Sequence, residues 1–200
     1  KPLTTKQAAE LIVDFKKSVP EYCRIMRVQR DIPTYATEAG VGMTNLRQYI
    51  EELLKKKKIK CRCIRCREPR GKKISKKIKI LFEPYEASKG MEFFICAEDV
   101  KNDILLGFCR LRFPSQSLRK EITGKSALVR ELHVYGTQAE FGKKGSVQHK
   151  GIGKQLLQKA EKIAKTYYKN KIVVISGVGV RGYFRKQGYK KQGPYMVKLI

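Results

Sequence analysis

The feature that most constrains the fold of this chain is a glycine-marked helix start that lies between two apolar strands. Residues 127–135 alternate as a β-strand does, and a loop rich in Gly and Lys follows up to residue 150. Gly151 and Gly153 then open an amphipathic helix predicted over 152–168, and a buried strand is predicted over 172–176. This pattern predicts a strand, a helix and a strand in succession, and therefore an α+β domain.

More strands are predicted on both sides of this segment. Residues 76–83, 92–98 and 104–112 have strand-like patterns, and the turn-like sequence 101–103 joins the last two as a hairpin. A short helix is predicted over 182–187 and a final strand over 195–200. Together these elements predict a mixed sheet flanked by helices.

The first part of the chain has a different pattern. A helix is predicted over 4–18, since Thr4 and Gln7 have the spacing of a capping box and Ala8, Leu11 and Phe15 fall on one face. A strand is predicted over 22–28 and a second helix over 44–58. The composition changes after this helix, and we place a domain boundary near residue 75.

The charge of the chain indicates a polyanionic partner. Lys and Arg number 45 against 18 Asp and Glu, which gives a net charge of +27. Residues 55–79 alone hold fourteen Lys or Arg and one acid, Glu68. Nucleic acid is the favoured partner, an anionic membrane surface is second, and a solvated basic surface is the alternative. No stretch has the roughly 20 apolar residues of a membrane span. The residues predicted to hold RNA phosphates are Lys56, Arg62, Arg65, Arg67, Lys72 and Lys73.

Three cysteines lie within six residues of this basic stretch. Cys61, Cys63 and Cys66 have a spacing that suits three of the four ligands of a structural Zn²⁺ ion, and Cys23 is the predicted fourth. Reduced thiols without metal are the alternative. The remaining Cys96 and Cys109 are expected to pack as small hydrophobes. So few cysteines in a Lys-rich chain favour a reducing, cytoplasmic setting over a secreted disulfide scaffold.

The segment 148–154 has the chemistry of an anion site, because a helix N-terminus offers free backbone N–H groups and glycines let a phosphate approach them. It resembles the Gln/Arg-x-x-Gly-x-Gly/Ala signature of the GNAT acetyltransferases, which binds the pyrophosphate of coenzyme A. The alternative is a helix start whose glycines serve packing. The resemblance implies that acetyl-CoA is bound by Gln148, His149, Lys150, Gly151, Ile152, Gly153, Lys154, Leu132, Val134 and Phe184.

Catalytic residues are expected on two further segments. Residues 182–189 resemble the GNAT element that follows the second splayed strand, and Tyr183 is the predicted general acid for the CoA thiolate. Tyr189 is the second choice, with core packing favoured for it. Glu131 or His133 on the strand 127–135 can serve as a base that activates water or an amine, and a structural histidine is an equal alternative for His133.

Several segments together resemble one family more closely, namely the radical-SAM/GNAT tRNA uridine acetyltransferases that include the catalytic subunit of Elongator. They are residues 27–33, 45–47, 61–68, 107–112, 130–136, 148–153 and 182–189. The resemblance implies the C-terminal part of an enzyme that installs a carboxymethyl group on the wobble uridine, with acetyl-CoA as the carbon source. It also implies tRNA, the protein's own radical-SAM domain, and a second copy or accessory subunits as partners.

The resemblance divides the chain into the tail of a radical-SAM domain (1–35), a basic linker with the cysteine loop (36–75) and a GNAT-like domain (76–200). The chain has no Cys-x-x-x-Cys-x-x-Cys run, so an iron–sulfur cluster and S-adenosylmethionine are expected only in a domain outside it. Phe184 stands where family members often carry Tyr. A protein lysine N-acetyltransferase and a noncatalytic RNA-binding module are the alternative functions.

Overall fold

The structure, a computed structural model, describes residues 1–29, 32–117, 119–135 and 151–200. The chain divides into two compact units, Lys1–Glu68 and Pro69–Ile200. The predicted divisions at residues 35 and 75 do not coincide with this one. The first 68 residues form one unit because its two long helices and the cysteine loop share a single apolar core.

The first unit contains the helices α1 (Thr5–Lys17), α2 (Leu46–Lys56) and α3 (Ile64–Arg67), with a 3₁₀ turn at Thr34–Ala36. The capping box predicted for α1 is present, since Thr4 and Gln7 each bind the other's backbone N–H. Val13 of α1 and Ile50 of α2 are buried in the shared core together with Cys63.

Two predictions for this unit are wrong. Residues 22–28 form no strand, because their carbonyls bind separate donors instead of a neighbouring strand. The Cys23 carbonyl accepts from the Ile64 N–H, and those of Ile25 and Met26 accept from Arg47. The buried face of α1 is also rotated from the predicted one. Leu11 and Phe15 are exposed, whereas α1 buries Ala8, Ala9, Val13 and Lys16.

The second unit is built on one seven-stranded sheet in the order β1-β2-β3-β4-β5-β7-β6. Neighbouring strands are antiparallel except β4 and β5, which are parallel. The strands are β1 (Ile78–Ala87), β2 (Gly90–Asp99), β3 (Ile104–Phe113), β4 (Ser126–Val134), β5 (Lys171–Val174), β6 (Lys190–Gln192) and β7 (Tyr195–Leu199). The α+β fold class predicted from the sequence is confirmed.

One face of this sheet is covered by the helix α4 (Ile152–Thr166), with the short helix α5 (Arg181–Lys186) near the C-terminus. The apolar stripe of α4 is buried against inward-facing residues of β2, β3 and β4, such as Ile95, Leu111 and Val129. This packing fixes the start of α4 beside β4. None of the described helices combines the length and the apolar character that crossing a lipid bilayer requires.

Candidate functional site

The start of α4 offers backbone donors without a side chain that caps them. Its N-cap is Gly151, whose φ of 73° lies in the left-handed region that favours glycine. None of the described side chains caps the helix, and the first intrahelical bond runs from the Gln155 N–H to the Gly151 carbonyl. The N–H groups of the first turn therefore point along the helix axis with the positive end of its dipole, which suits an anion.

The pairing between β4 and β5 ends beside this helix start, because β5 ends at Val174 while β4 continues to Val134. Their parallel ladder runs from Ser126 and Lys171 to Val129 and Val174, and the Ile175 N–H still reaches the Val129 carbonyl. Beyond that point β4 continues through residues 130–134, and no described strand pairs with it on that side. The gap that this leaves beside residues 130–134, where no described strand pairs with β4, can admit an extended chain such as pantetheine.

Tyr183 of α5 reaches over the first turn of α4. A Cβ at position 153 would lie 2.9 Å from the Tyr183 hydroxyl oxygen and 3.6 Å from Cγ2 of Val134, so Gly153 is what permits the approach. Tyr183 is 37% exposed, and burial raises the pKa of its hydroxyl above its ordinary value of 10.0. The hydroxyl therefore stays protonated at neutral pH and can donate to a charge that develops beside it.

The two predicted bases have other partners in the structure. The Glu131 carboxylate accepts from Nε of Arg110 at 3.1 Å. The His133 ring stacks on Phe108 with ring centroids 5.7 Å apart and meets Tyr135 edge-on at 4.5 Å. These contacts hold His133 in an aromatic cluster, as its structural interpretation predicts.

The other predicted cofactor residues fall into three groups. Gln148, His149 and Lys150 lie outside the described residues. Leu132 and Val134 are half-buried against the core on the α4 side of β4, and Lys154 is exposed in the first turn of α4. Phe184 is 4% exposed and packs edge-on against Tyr183 and Tyr189, so it is a core side chain, and the cofactor contact predicted for it does not fit this position.

Tyr189 is a core residue, as the favoured interpretation holds. It is 2% exposed, and its hydroxyl donates to Glu161 at 2.8 Å. Burial raises its pKa, and the Glu161 carboxylate raises it further. Cys109 is likewise fully buried, and burial raises the pKa of its thiol to about 12, as expected for a small hydrophobe.

The first unit brings three predicted metal ligands together. The sulfur atoms of Cys61, Cys63 and Cys66 all lie within 4.8 Å of one another. The Cys23 sulfur does not join this group, so the structure gives no support to Cys23 as the fourth ligand. Hydrogen bonds with Cys61 and Cys66 lower the pKa of Cys63. Hydrogen bonds with Cys61 and Cys63 raise the pKa of Cys66.

Lys16 lies beside Cys66, a contact that was not predicted from the sequence. Its Nζ is 3.5 Å from Sγ of Cys66, and its side chain is buried although it is charged. The available signal was helical spacing, because Lys16 follows the buried Ala9 and Val13 by seven and three residues. A cation among three thiols favours their thiolate forms.

The predicted RNA contacts differ in how accessible they are. In the first unit Lys56 is exposed, whereas Arg67 is 1% exposed and bound to Glu21, so the phosphate contact predicted for Arg67 is wrong. Arg62 pairs with the same Glu21, and Arg65 pairs with Glu68 at 2.7 Å. In the second unit the predicted contacts are Lys72 and Lys73, and both are exposed.

Residues 144–198 match the family model described as "Acetyltransferase (GNAT) domain". The sheet, the uncapped helix start and the gap beside β4 thus belong to a protein of the GNAT acetyltransferase class. The whole chain is 46% identical to the "tRNA uridine(34) acetyltransferase" of Methanocaldococcus infernus and 40% identical to the human "Elongator complex protein 3". This chain belongs to the family that those two proteins represent.

A solved structure agrees with the sequence comparisons. The archaeal M. infernus Elp3 with an N-terminal deletion matches the whole chain with a TM-score of 0.91 at 44% identity, and the chain covers 50% of it. The chain spans 40% of the length of the M. infernus relative and 38% of the human one. It corresponds to their C-terminal region.

Proposed function

We propose that this chain is the acetyl-CoA-handling part of an enzyme that modifies the wobble uridine of tRNA. The observation that carries the proposal is the position of the Tyr183 hydroxyl against Gly153, at the uncapped start of α4 and near the gap beside residues 130–134. The tRNA substrate is inferred from the name of the archaeal relative, a tRNA uridine(34) acetyltransferase.

Each part of the site has a role toward acetyl-CoA. The first-turn N–H groups of α4 and the exposed Lys154 bind the pyrophosphate, and the gap beside residues 130–134 takes the pantetheine arm. When the thioester carbon–sulfur bond breaks, the bonding electrons go to sulfur and Tyr183 donates its proton there. Its raised pKa keeps that proton in place until the thiolate forms.

In this proposal the acetyl group is transferred to water, or its methyl group is used by a radical formed in another domain. A free amine is not the acceptor. An N-acetyltransferase for lysine needs a base for the incoming amine. Glu131 is paired with Arg110, and His133 is packed between Phe108 and Tyr135. These contacts occupy both predicted bases, and the name of the archaeal relative favours the tRNA function over lysine acetylation.

The rest of the modification belongs to a part of the enzyme outside this chain. We place the iron–sulfur cluster and S-adenosylmethionine in a radical-SAM domain outside this chain. That domain and tRNA are the proposed partners. None of the six cysteines forms a disulfide, which suits the reducing cytoplasm.

A structural Zn²⁺ ion is the second proposed ligand. Thiolates around tetrahedral zinc, with bonds of about 2.3 Å, are spaced by roughly 3.8 Å, and the three sulfurs need only a small closure to reach that spacing. Cys61, Cys63 and Cys66 would hold the ion, which ties the loop to the helices of the first unit. Lys16 would balance the negative charge of three thiolates.

The test is acetyl-CoA hydrolysis, measured as free CoA with and without tRNA. We expect tRNA to accelerate CoA release and Tyr183→Phe to slow it by about 100-fold, because the variant loses the proton donor. Acetyl-CoA affinity should stay within roughly twofold of the unmodified chain, since the variant removes one hydroxyl that acts mainly on the departing thiolate.

The matched control is Tyr168→Phe, because Tyr168 is 92% exposed and the chemical change is the same. This control should leave CoA release unchanged. Failure of the chain to bind acetyl-CoA, or equal activity of Tyr183→Phe and Tyr168→Phe, would contradict the proposal. Acetyl transfer to an amine in place of hydrolysis would favour the lysine acetyltransferase.

A further inference from the structure

A cavity of about 470 Å³ lies at the end of the sheet opposite to the acetyl-CoA site. It is bounded by the turn between β1 and β2, the segment after β3 and the first half of β4. On β4, Leu128 lines the cavity and Val134 lies beside Gly153. Six residues of strand separate them, which is roughly 20 Å at about 3.3 Å per residue.

The wall of this cavity is held in a defined shape. Ser88 and Lys89 form a two-residue turn in which both φ values are positive, 47° and 58°. Arg112 donates to the carbonyls of Ala87 and Ser88 and to the buried carboxylate of Glu92. Gly90 permits this packing, because a Cβ there would lie 2.7 Å from the Phe113 carbonyl oxygen.

The chemistry of the lining combines three kinds of group. Ile122 and Leu128 give an apolar surface, Ser88, Ser115 and Gln116 offer hydrogen-bond donors and acceptors, and Lys89 and Arg112 are cations. None of the described residues that line the cavity is acidic. The volume falls in the usual range for small-ligand sites, about 300–1,000 Å³.

A second cavity of about 250 Å³ adjoins the first and shares Ile122 with it. It adds the exposed cations Arg119 and Lys120 together with Ser117 and Thr123. An apolar slot with hydrogen-bonding groups therefore lies next to a cationic slot. This pairing suits a planar base joined to a phosphodiester, in which the base packs on apolar side chains and the phosphates meet the cations.

We propose that these two cavities bind one unstacked nucleotide of single-stranded RNA, with its base in the first and an adjacent phosphate in the second. The site is a second RNA contact, separate from the acetyl-CoA end of the sheet. It rests on the proposed function in one respect, since the RNA that it serves is the tRNA substrate. A paired duplex is excluded from the slot because its bases are stacked inside the helix.

The test measures binding of hexauridine RNA and of uridine 5′-monophosphate to the whole chain. Lys89→Asn combined with Gln116→Ala removes a cation and an amide at exposed positions, and Asn tolerates the positive φ of residue 89. We expect both ligands to bind at least about tenfold more weakly to this variant. Arg119→Ala with Lys120→Ala should weaken binding of both ligands, because each of them carries a phosphate next to its base.

The control is Lys162→Asn, which removes the same charge from the exposed surface of α4. It should change RNA binding by less than about twofold, since a general field effect is small for one charge at distance. Equal weakening by Lys162→Asn and by the cavity variant overturns the proposal. So does hexamer binding that the cavity variant leaves unchanged.

Acetyl-CoA binding by the same variants separates this inference from the proposed function. Unchanged acetyl-CoA affinity with lost RNA binding supports both. If the unmodified chain binds no acetyl-CoA while the cavity variant still loses RNA, the proposed function fails and the RNA site stands. If acetyl-CoA binds and is hydrolysed but the cavity variant keeps its RNA affinity, the site fails and the proposed function stands.

Discussion

At the scale of single residues, the contact between Gly153 and Tyr183 sets the geometry of the proposed acetyl-CoA site. The phenol ring of Tyr183 is held edge-on against Phe184, which is itself buried. A Cβ at position 153 would lie 2.9 Å from the Tyr183 hydroxyl oxygen, so a side chain there must displace the ring. Position 153 therefore controls where the proton of Tyr183 lies.

We expect Gly153→Ala to slow CoA release by roughly 10- to 100-fold, because it displaces the proton donor by about 1 Å. The thermal stability should change little, since Ala is a better helix former than Gly by about 0.5–1 kcal/mol and this gain opposes the steric cost. Steady-state hydrolysis and a thermal unfolding curve measure the two effects.

Gly182→Ala is the control for that substitution. Gly182 lies in α5, and a Cβ there would meet nothing within 4 Å. It should keep full activity and be as stable as the unmodified chain or slightly more stable. Retained activity in Gly153→Ala would show that the contact with Tyr183 is not needed.

Buried charges are the residues that the sequence predicted least well. Glu92 is 1% exposed, and its carboxylate accepts from Arg112, Arg130 and Tyr85. Burial acts to raise its pKa, but these hydrogen bonds and charges outweigh it and the pKa is lowered. Its partners come from three other strands, so no local pattern could reveal the network.

At the scale of elements, Asp99 fastens the segment before β1 to the turn after β2. Its carboxylate accepts from the N–H and hydroxyl of Ser75 and from the N–H and side-chain amide of Asn102. These bonds, led by that from the Ser75 N–H, lower the pKa of Asp99 to about 2 from its ordinary 3.8. They are therefore stronger when the group is ionised.

We expect Asp99→Asn to lower the melting temperature at pH 7. A depressed folded-state pKa contributes stability that is present above the unfolded pKa and lost as the pH falls through the folded one. The difference between variant and unmodified chain should thus shrink between about pH 4 and about pH 2. Melting curves across this range test it, with the exposed Glu86→Gln as the control that should show no such trend.

The predicted strands and helices of the second unit were largely right because their signals are local. The stripe of α4 and the apolar runs of β2 to β4 lie within single segments, and the structure confirms these elements within a few residues. β6 was missed because its three residues, Lys190–Gln192, are all exposed and carry no apolar signal. The strand predicted over 22–28 failed because a strand needs a partner that lies elsewhere in the chain.

At the scale of the whole molecule, the chain is two units with different sources of stability. Residues 69–200 have a large apolar core between α4 and the sheet. Residues 1–68 have a smaller core that includes Cys61 and Cys63. A small core of this kind gains more from a bound metal than a large one does.

We expect zinc analysis to find about one ion per chain, and Cys66→Ser to reduce this to near zero because three-thiolate coordination is lost. Removal of the metal by a chelator should lower the thermal stability of residues 1–68 and leave that of residues 69–200 unchanged. Element analysis and site-resolved hydrogen exchange provide the two measurements.

Cys23→Ser is the matched control, because the structure leaves the Cys23 sulfur outside the thiol group. It should retain the full zinc content. Loss of zinc in Cys23→Ser would restore Cys23 as the fourth ligand. The sequence indicated the three-cysteine loop from spacing alone, whereas Lys16 and the place of Cys23 depend on how α1 packs and could not be obtained from it.

The start of α4 has a consequence for how this protein can vary. The donors that it presents are main-chain N–H groups, which every amino acid except proline carries, so other substitutions at Ile152 or Lys154 change the surroundings of the donors and leave the donors in place. Gly151 is different, because its φ of 73° is one that a non-glycine residue adopts only at a cost. A substitution there disturbs the left-handed N-cap from which the helix starts. We therefore expect wide sequence variation at Ile152 and Lys154, and little variation at Gly151.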